Sequence, residues 1–228
     1  MDDFGHIVRS PHVIEGTWYE QTLRWLPYLI WATVFGVMKM VSGAEQPGEV
    51  IESARVAFHF LNLLVHIGIG CLVYALSRDW FRRAQFLGSE ETRKTAAILA
   101  GLVFVCHPIG SEPVHYTRCL MIDLVTFFCV LTVWATFRFF EKPTRKLAIL
   151  GVGAIAMAAI SKNPGLIHAV ANVIILGVAM AAANWQKLGR NPLETLSEAQ
   201  KRYAGIGLGV LVMGILGWAV YWARYVGI

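Results

Sequence analysis

Apolar runs separated by short charged segments make up most of this chain. The first long one, Val56 to Leu76, carries no Asp, Glu, Lys or Arg, and its length of about twenty residues is what a helix needs to cross ~30 Å of hydrocarbon. Further runs follow at Thr95–Val105, Cys119–Phe140, Leu147–Ile160, Gly165–Ala183 and Ala204–Trp222. An earlier run, Leu26 to Met38, is shorter, with Pro27 at its start and Lys39 at its close. Its length suits a re-entrant or interfacial segment better than a span. The pattern therefore predicts an all-α, polytopic transmembrane helix bundle of about six spans plus one short re-entrant or interfacial helix. Residues 1–228 form a single domain, with 1–25 as an external, loop-like N-terminal segment and 26–223 as the helical bundle.

The charges orient this bundle. Three connecting loops hold thirteen of the twenty Lys and Arg: Arg78 to Lys94, Arg138 to Lys146, and Lys187 to Arg202. Basic residues collect on the cytoplasmic side of short loops. Alternation then places the His-Pro loop after Val105, the Ser-Lys-Asn-Pro-Gly turn at 161–165 and the C-terminus on the opposite face. If the 26–38 run does not cross, the N-terminal stretch containing Asp2 and Asp3 joins them.

Composition agrees with this class and removes others. Hydrophobic residues make up 56% of the chain and charged ones 15%, against about 25% charged in soluble domains, and the mean hydropathy is +0.54. The net charge of +5 is explained by membrane orientation, so nucleic acid is not an expected partner; the bilayer is. Residues 1–22 lack the basic start and apolar core of a signal peptide. Cys71, Cys106, Cys119 and Cys129 lie in or beside apolar runs without the paired spacing of a zinc site or a disulfide framework, although Cys106 and Cys119 flank one loop and could pair. Small residues at 151–160 and 204–209 suit close helix packing. Gly151, Gly153 and Ala156 match a dinucleotide fingerprint only in letters, because no strand precedes them.

Few residues are left to carry chemistry. The stretch Cys106–Asp123 brings His107, Glu112, His115 and Arg118 to the mouth of the bundle, where ionisable groups cost roughly 2.5 to 3.5 kcal/mol each in hydrocarbon and are usually kept for a site. His107-Pro108 also serves to end a helix. Glu112 and Arg118 fit either a loop ion pair or a substrate contact. Lys162 fits either a phosphate ligand or a lysine snorkelling to the interface. His59, Asn62 and His66 share one helix face; two membrane histidines could ligate a haem or chlorophyll, but hydrogen bonding to neighbouring helices is the simpler reading.

Taken in order, DDFGHIVRSPHV, FHFLNLLVH, HPIGSEPVHYTR and SKNPG resemble segments of the multi-spanning GT-C glycosyltransferases, in particular the tetratricopeptide-linked branch related to protein O-mannosyltransferases. The resemblance runs over nearly the whole chain. It implies transfer of a sugar from a polyprenyl-phosphate-linked donor, with the family's loop carboxylate falling on Asp2 or Asp3 as the catalytic group. Its His-Pro segment falls on His107, Pro108, Glu112 and Arg118, and its Ser-Lys-Glu turn on Ser161, Lys162 and Asn163. Substrate binding would then rest on His107, Glu112, Arg118 and Lys162, in a bacterial inner membrane with the site facing the periplasm.

The chain also departs from the family. Asn163 stands where the family carries Glu, and Leu120 stands two positions after Arg118 where an acid is expected, with Asp123 the nearest. Relative to the family the chain is expected to be shortened at both ends, which admits a degenerate copy. For an active enzyme, a carboxylate such as Asp3 would take the acceptor's proton and Lys162 and Arg118 would stabilise the departing phosphate. No cofactor is certain in this reading; a divalent metal is an option, for which only Asp2, Asp3 and Glu112 offer hard oxygen ligands. The rival expectation, from another class, is a non-catalytic membrane subunit packed against protein partners in a larger complex, such as an energy-transducing assembly.

Overall fold

The computed structural model describes residues 10–20, 24–84, 88–108, 116–162 and 165–174. Every regular element among them is helical. After a single turn at Pro11–Ile14 come α1 (Trp25–Ser42), α2 (Pro47–Ala84), α3 (Glu90–Cys106), α4 (Leu120–Glu141), α5 (Arg145–Ser161) and α6 (Gly165–Ile174). Three of these, α1, α2 and α4, are long and apolar enough to cross a membrane. The expected span at 204–222 and most of that at 165–183 lie outside the described residues.

Local chemistry sets the helix ends. Ser89 caps α3 by accepting from the Thr92 N–H at 3.1 Å, with Glu90 and Glu91 in the first turn, where the helix dipole favours acids. Thr144 does the same for α5 through the Leu147 N–H. At the far end of α3, His107 turns extended, with ψ of 130°, because the following Pro108 disfavours the helical region for it. Gly43 closes α1 with φ of 63°, a left-handed conformation that a side chain would strain.

Two elements differ from the sequence pattern. α1 extends beyond the Leu26–Met38 run at both ends. Pro27 is tolerated because it sits in the first turn, where its missing N–H has no partner to lose, and Lys39 takes the last turn, where a cation suits the dipole. α2 continues as helix through Arg78, Arg82 and Arg83, a segment the charges mark as loop. Those charges are held by α4. Asp79 accepts from Trp134 Nε1 at 3.1 Å and from Arg138 at 3.3 Å, and Arg82 meets Glu141 at 3.1 Å.

The helices alternate in direction. His66 and Gly70 of α2 meet Val105 of α3 while Tyr74 meets Gly101, so these two run antiparallel. Asn62 bonds Tyr116, Gly68 faces Phe127 and Asp79 reaches Arg138, so α2 and α4 run parallel. Gly151 of α5 lies against Ala135, and Gly165 lies against Ala158 and Val125, so α5 returns antiparallel to α4. α1 pairs with the start of α2. Trp31 and Phe35 share one buried cluster with Val50, Ala54, Phe58, Leu120, Met121 and Leu124, which sets α1 at one end of the α2–α5 bundle.

Candidate functional site

That antiparallel order brings three predicted site residues to one end, called here the mouth. His107 terminates α3, Arg118 lies in the 3-10 turn Thr117–Cys119 that leads into α4, and Lys162 terminates α5. His107 is exposed and Lys162 half-buried. Asp2, Asp3 and Glu112 lie outside the described residues, as does Asn163. Among the described residues, no group of three or more His, Cys, Asp or Glu side chains is placed to hold a metal ion. All four cysteines are free thiols, so Cys106 and Cys119 are not bonded to one another.

Among the described residues, five of the six buried polar side chains gather toward the same end, Thr132 in the middle of α4 being the sixth. Asn62, His66, Thr117, Asp123 and Ser161 are each no more than 3% exposed. Asn62 donates through Nδ2 to the Tyr116 carbonyl at 2.9 Å, tying α2 to the polar loop. His66 Nε2 lies 3.3 Å from the Val105 carbonyl, and its ring stacks on Phe104 at 5.2 Å. The histidine and asparagine of this face therefore make the contacts to neighbouring segments that their spacing suggested. Ser161 turns back to donate to the Met157 carbonyl at 2.6 Å, a local bond that satisfies a hydroxyl inside an apolar helix.

Asp123 is different. It sits in the first turn of α4, 3% exposed, and its Oδ2 is buried with no hydrogen-bond partner among the described residues. Buried carboxylates are ordinarily paired, hydrogen-bonded or bound to a cation. The positive N-terminal end of α4 offers partial compensation. The sequence signal for this residue is a lone acid within an apolar run.

The N-terminal segment returns to this end as well. Val13 is 1% exposed and belongs to the cluster that contains Trp31, Leu120 and Leu124, while His12 bonds Thr17 at 3.1 Å and packs edge-on against Tyr28. Val13, ten residues beyond Asp3, is thus packed with α1 in the cluster that also takes in the first residues of α4.

Comparison with models of protein families, with curated proteins and with solved structures found no match for this chain.

Proposed function

We propose that the chain is a multi-pass membrane glycosyltransferase module of GT-C type, taking a sugar from a polyprenyl-phosphate-linked donor at its mouth. The observation that carries this reading is the burial of Val13 in the cluster that also contains Leu120, Met121 and Leu124 at the start of α4. It fixes residues 11–14 at the end where α3 and α5 terminate and the Thr117–Cys119 turn leads into α4. The buried Asp123 Oδ2, which has no partner among the described residues, and the resemblance of the four sequence segments add support.

In this reading α3 and α5, at 17 residues each, complete the membrane-crossing set as helices of about 26 Å, and α1 lies at the mouth as an interfacial element. The mouth faces the periplasm of a bacterial inner membrane, opposite the basic end. Asp3 or Asp2 accepts the proton of the acceptor hydroxyl, whose oxygen attacks the anomeric carbon. The bond from that carbon to the phosphate oxygen breaks, and the polyprenyl phosphate leaves with the electron pair, its charge stabilised by Arg118 and Lys162. His107 and Glu112 position the sugar.

A second reading, a non-catalytic packing subunit, draws on the outer face of α5. Gly153 and Ala156 are exposed there, and small residues admit a close helix partner. Sugar transfer from radiolabelled polyprenyl phosphosugars in membranes separates the two. Asp2→Asn or Asp3→Asn should lower transfer by ~10² to 10⁴ with assembly intact, the range typical of general-base help. No transfer by any form of the protein, together with loss of a co-purifying partner on Gly205→Leu or Gly209→Leu, favours the subunit. Topology is checked by impermeant thiol labelling of single cysteines. Position 112 should react from outside and positions 90 and 198 should not.

A further inference from the structure

Near the basic end, a crevice of about 310 Å³ opens between α2 and α4, lined by Leu76, Ser77, Trp80, Phe81, Val133 and Phe137. Its volume is at the lower end of the range for small-molecule sites, about 300 to 1,000 Å³. Apart from the Ser77 hydroxyl and the Trp80 indole N–H the lining side chains are apolar, so water gains little there and hydrocarbon is the favoured occupant. Trp80 is 52% exposed, as expected of an indole at headgroup level.

The rim of the crevice is cationic. Arg82 and Arg138 are engaged by Glu141 and Asp79, whereas the Arg83 guanidinium lies over the Phe137 ring, 5.5 Å from its centroid. Leu76, Trp80 and Arg83 fall at spacings of four and three on one helix face, which places Arg83 about 10 Å along the axis from the deepest apolar residue. Residues 78–94 and 138–146 together hold nine Lys and Arg against four Asp and Glu. An apolar slot below a net-positive rim matches a two-part ligand with a hydrocarbon tail and an anionic head.

We propose that this crevice binds one acyl chain of an anionic phospholipid, with the phosphate held against Arg83. Basic pockets between membrane helices select such headgroups, and the excess of cations supplies the charge complementarity. The site is at the opposite end of the bundle from the proposed transfer site and does not rest on it.

The test is native mass spectrometry of the whole chain, purified in mild detergent and supplied with phosphatidylglycerol or phosphatidylcholine. One phosphatidylglycerol should be retained per chain in preference to phosphatidylcholine. Arg83→Gln should weaken that retention about fivefold, the factor equivalent to about 1 kcal/mol per basic residue at an anionic surface, and Arg83→Lys should preserve it. Ser77→Phe should fill the crevice and abolish retention of either lipid. Equal retention of the two lipids, or phosphatidylglycerol retention unchanged by Arg83→Gln, would overturn the proposal. The exposed position of Arg83 keeps that variant decisive even if Ser77→Phe does not fold.

Discussion

The two ends of the bundle handle buried polarity in opposite ways. At the basic end, the carboxylates of Asp79 and Glu141 are both met by arginines from two helices, and Asp79 also accepts from the Trp134 indole. At the mouth, Asp123 is more deeply buried than either, yet one of its oxygens has no partner among the described residues. A closed network of charges contributes to holding helices together, while an unsatisfied carboxylate opposes folding and points to a ligand or a proton. The basic end pairs its charges across two helices, whereas the mouth holds a buried carboxylate oxygen that no described residue meets.

That contrast sets the expected order of mutational effects. Asp79→Leu should be the most damaging, lowering stability by about 2 to 3 kcal/mol in thermal or detergent-induced unfolding, because it removes the acceptor of the Trp134 N–H and one of the two acids that meet Arg138. Next comes Gly70→Leu on the α2–α3 seam. A side chain there collides with Val105, and overpacking of this kind costs about 1 to 3 kcal/mol; since Val105 also receives His66, the mouth should loosen with it, read as faster hydrogen exchange at 104–108.

Asp123→Asn should leave stability unchanged within ~0.5 kcal/mol or raise it, because no described residue pairs with its Oδ2, and it should lower the proposed sugar transfer. A loss of stability as large as that of Asp79→Leu would erase the distinction between the ends. The smallest effect is expected at Glu52, whose 3.3 Å pair with Arg55 is well exposed. Glu52→Gln should change stability by less than about 0.5 kcal/mol.

Much of the bundle was legible in the sequence where apolar runs had polar brackets and good caps. The runs 95–105, 119–140 and 147–160 became α3, α4 and α5 with ends extended by a few residues. The last turns of α2, residues 77–84, were not legible, because the partners that hold Arg82 and Asp79 in a helix are 59 residues away, beyond any local pattern. The extent of α1 was missed for a local reason. Pro27 interrupts an apolar run but does not interrupt a helix when it occupies the first turn.

At the site, the contacts of Asn62 and His66 followed from their shared helix face, since a polar group among apolar neighbours must find a backbone partner. The burial of Asp123 did not follow, because it depends on α4 entering the bundle directly after the Thr117–Cys119 turn. Nothing in the spacing of the 106–123 segment sets that point of entry.

The length of α2 has a mechanical consequence. Its 38 residues make a rod of roughly 57 Å, against ~30 Å of hydrocarbon. α3 ends level with His66, so about nineteen residues, or ~28 Å, of that rod stand past the point where its neighbour stops. With the bilayer as fulcrum, a tilt of about 5° swings the outer tip by ~2 to 3 Å. α1 and the segment anchored by Val13 ride on that arm, and the Asp79–Arg82 end moves in the opposite sense. A displacement at one membrane surface is therefore geared, through a single helix, to the other.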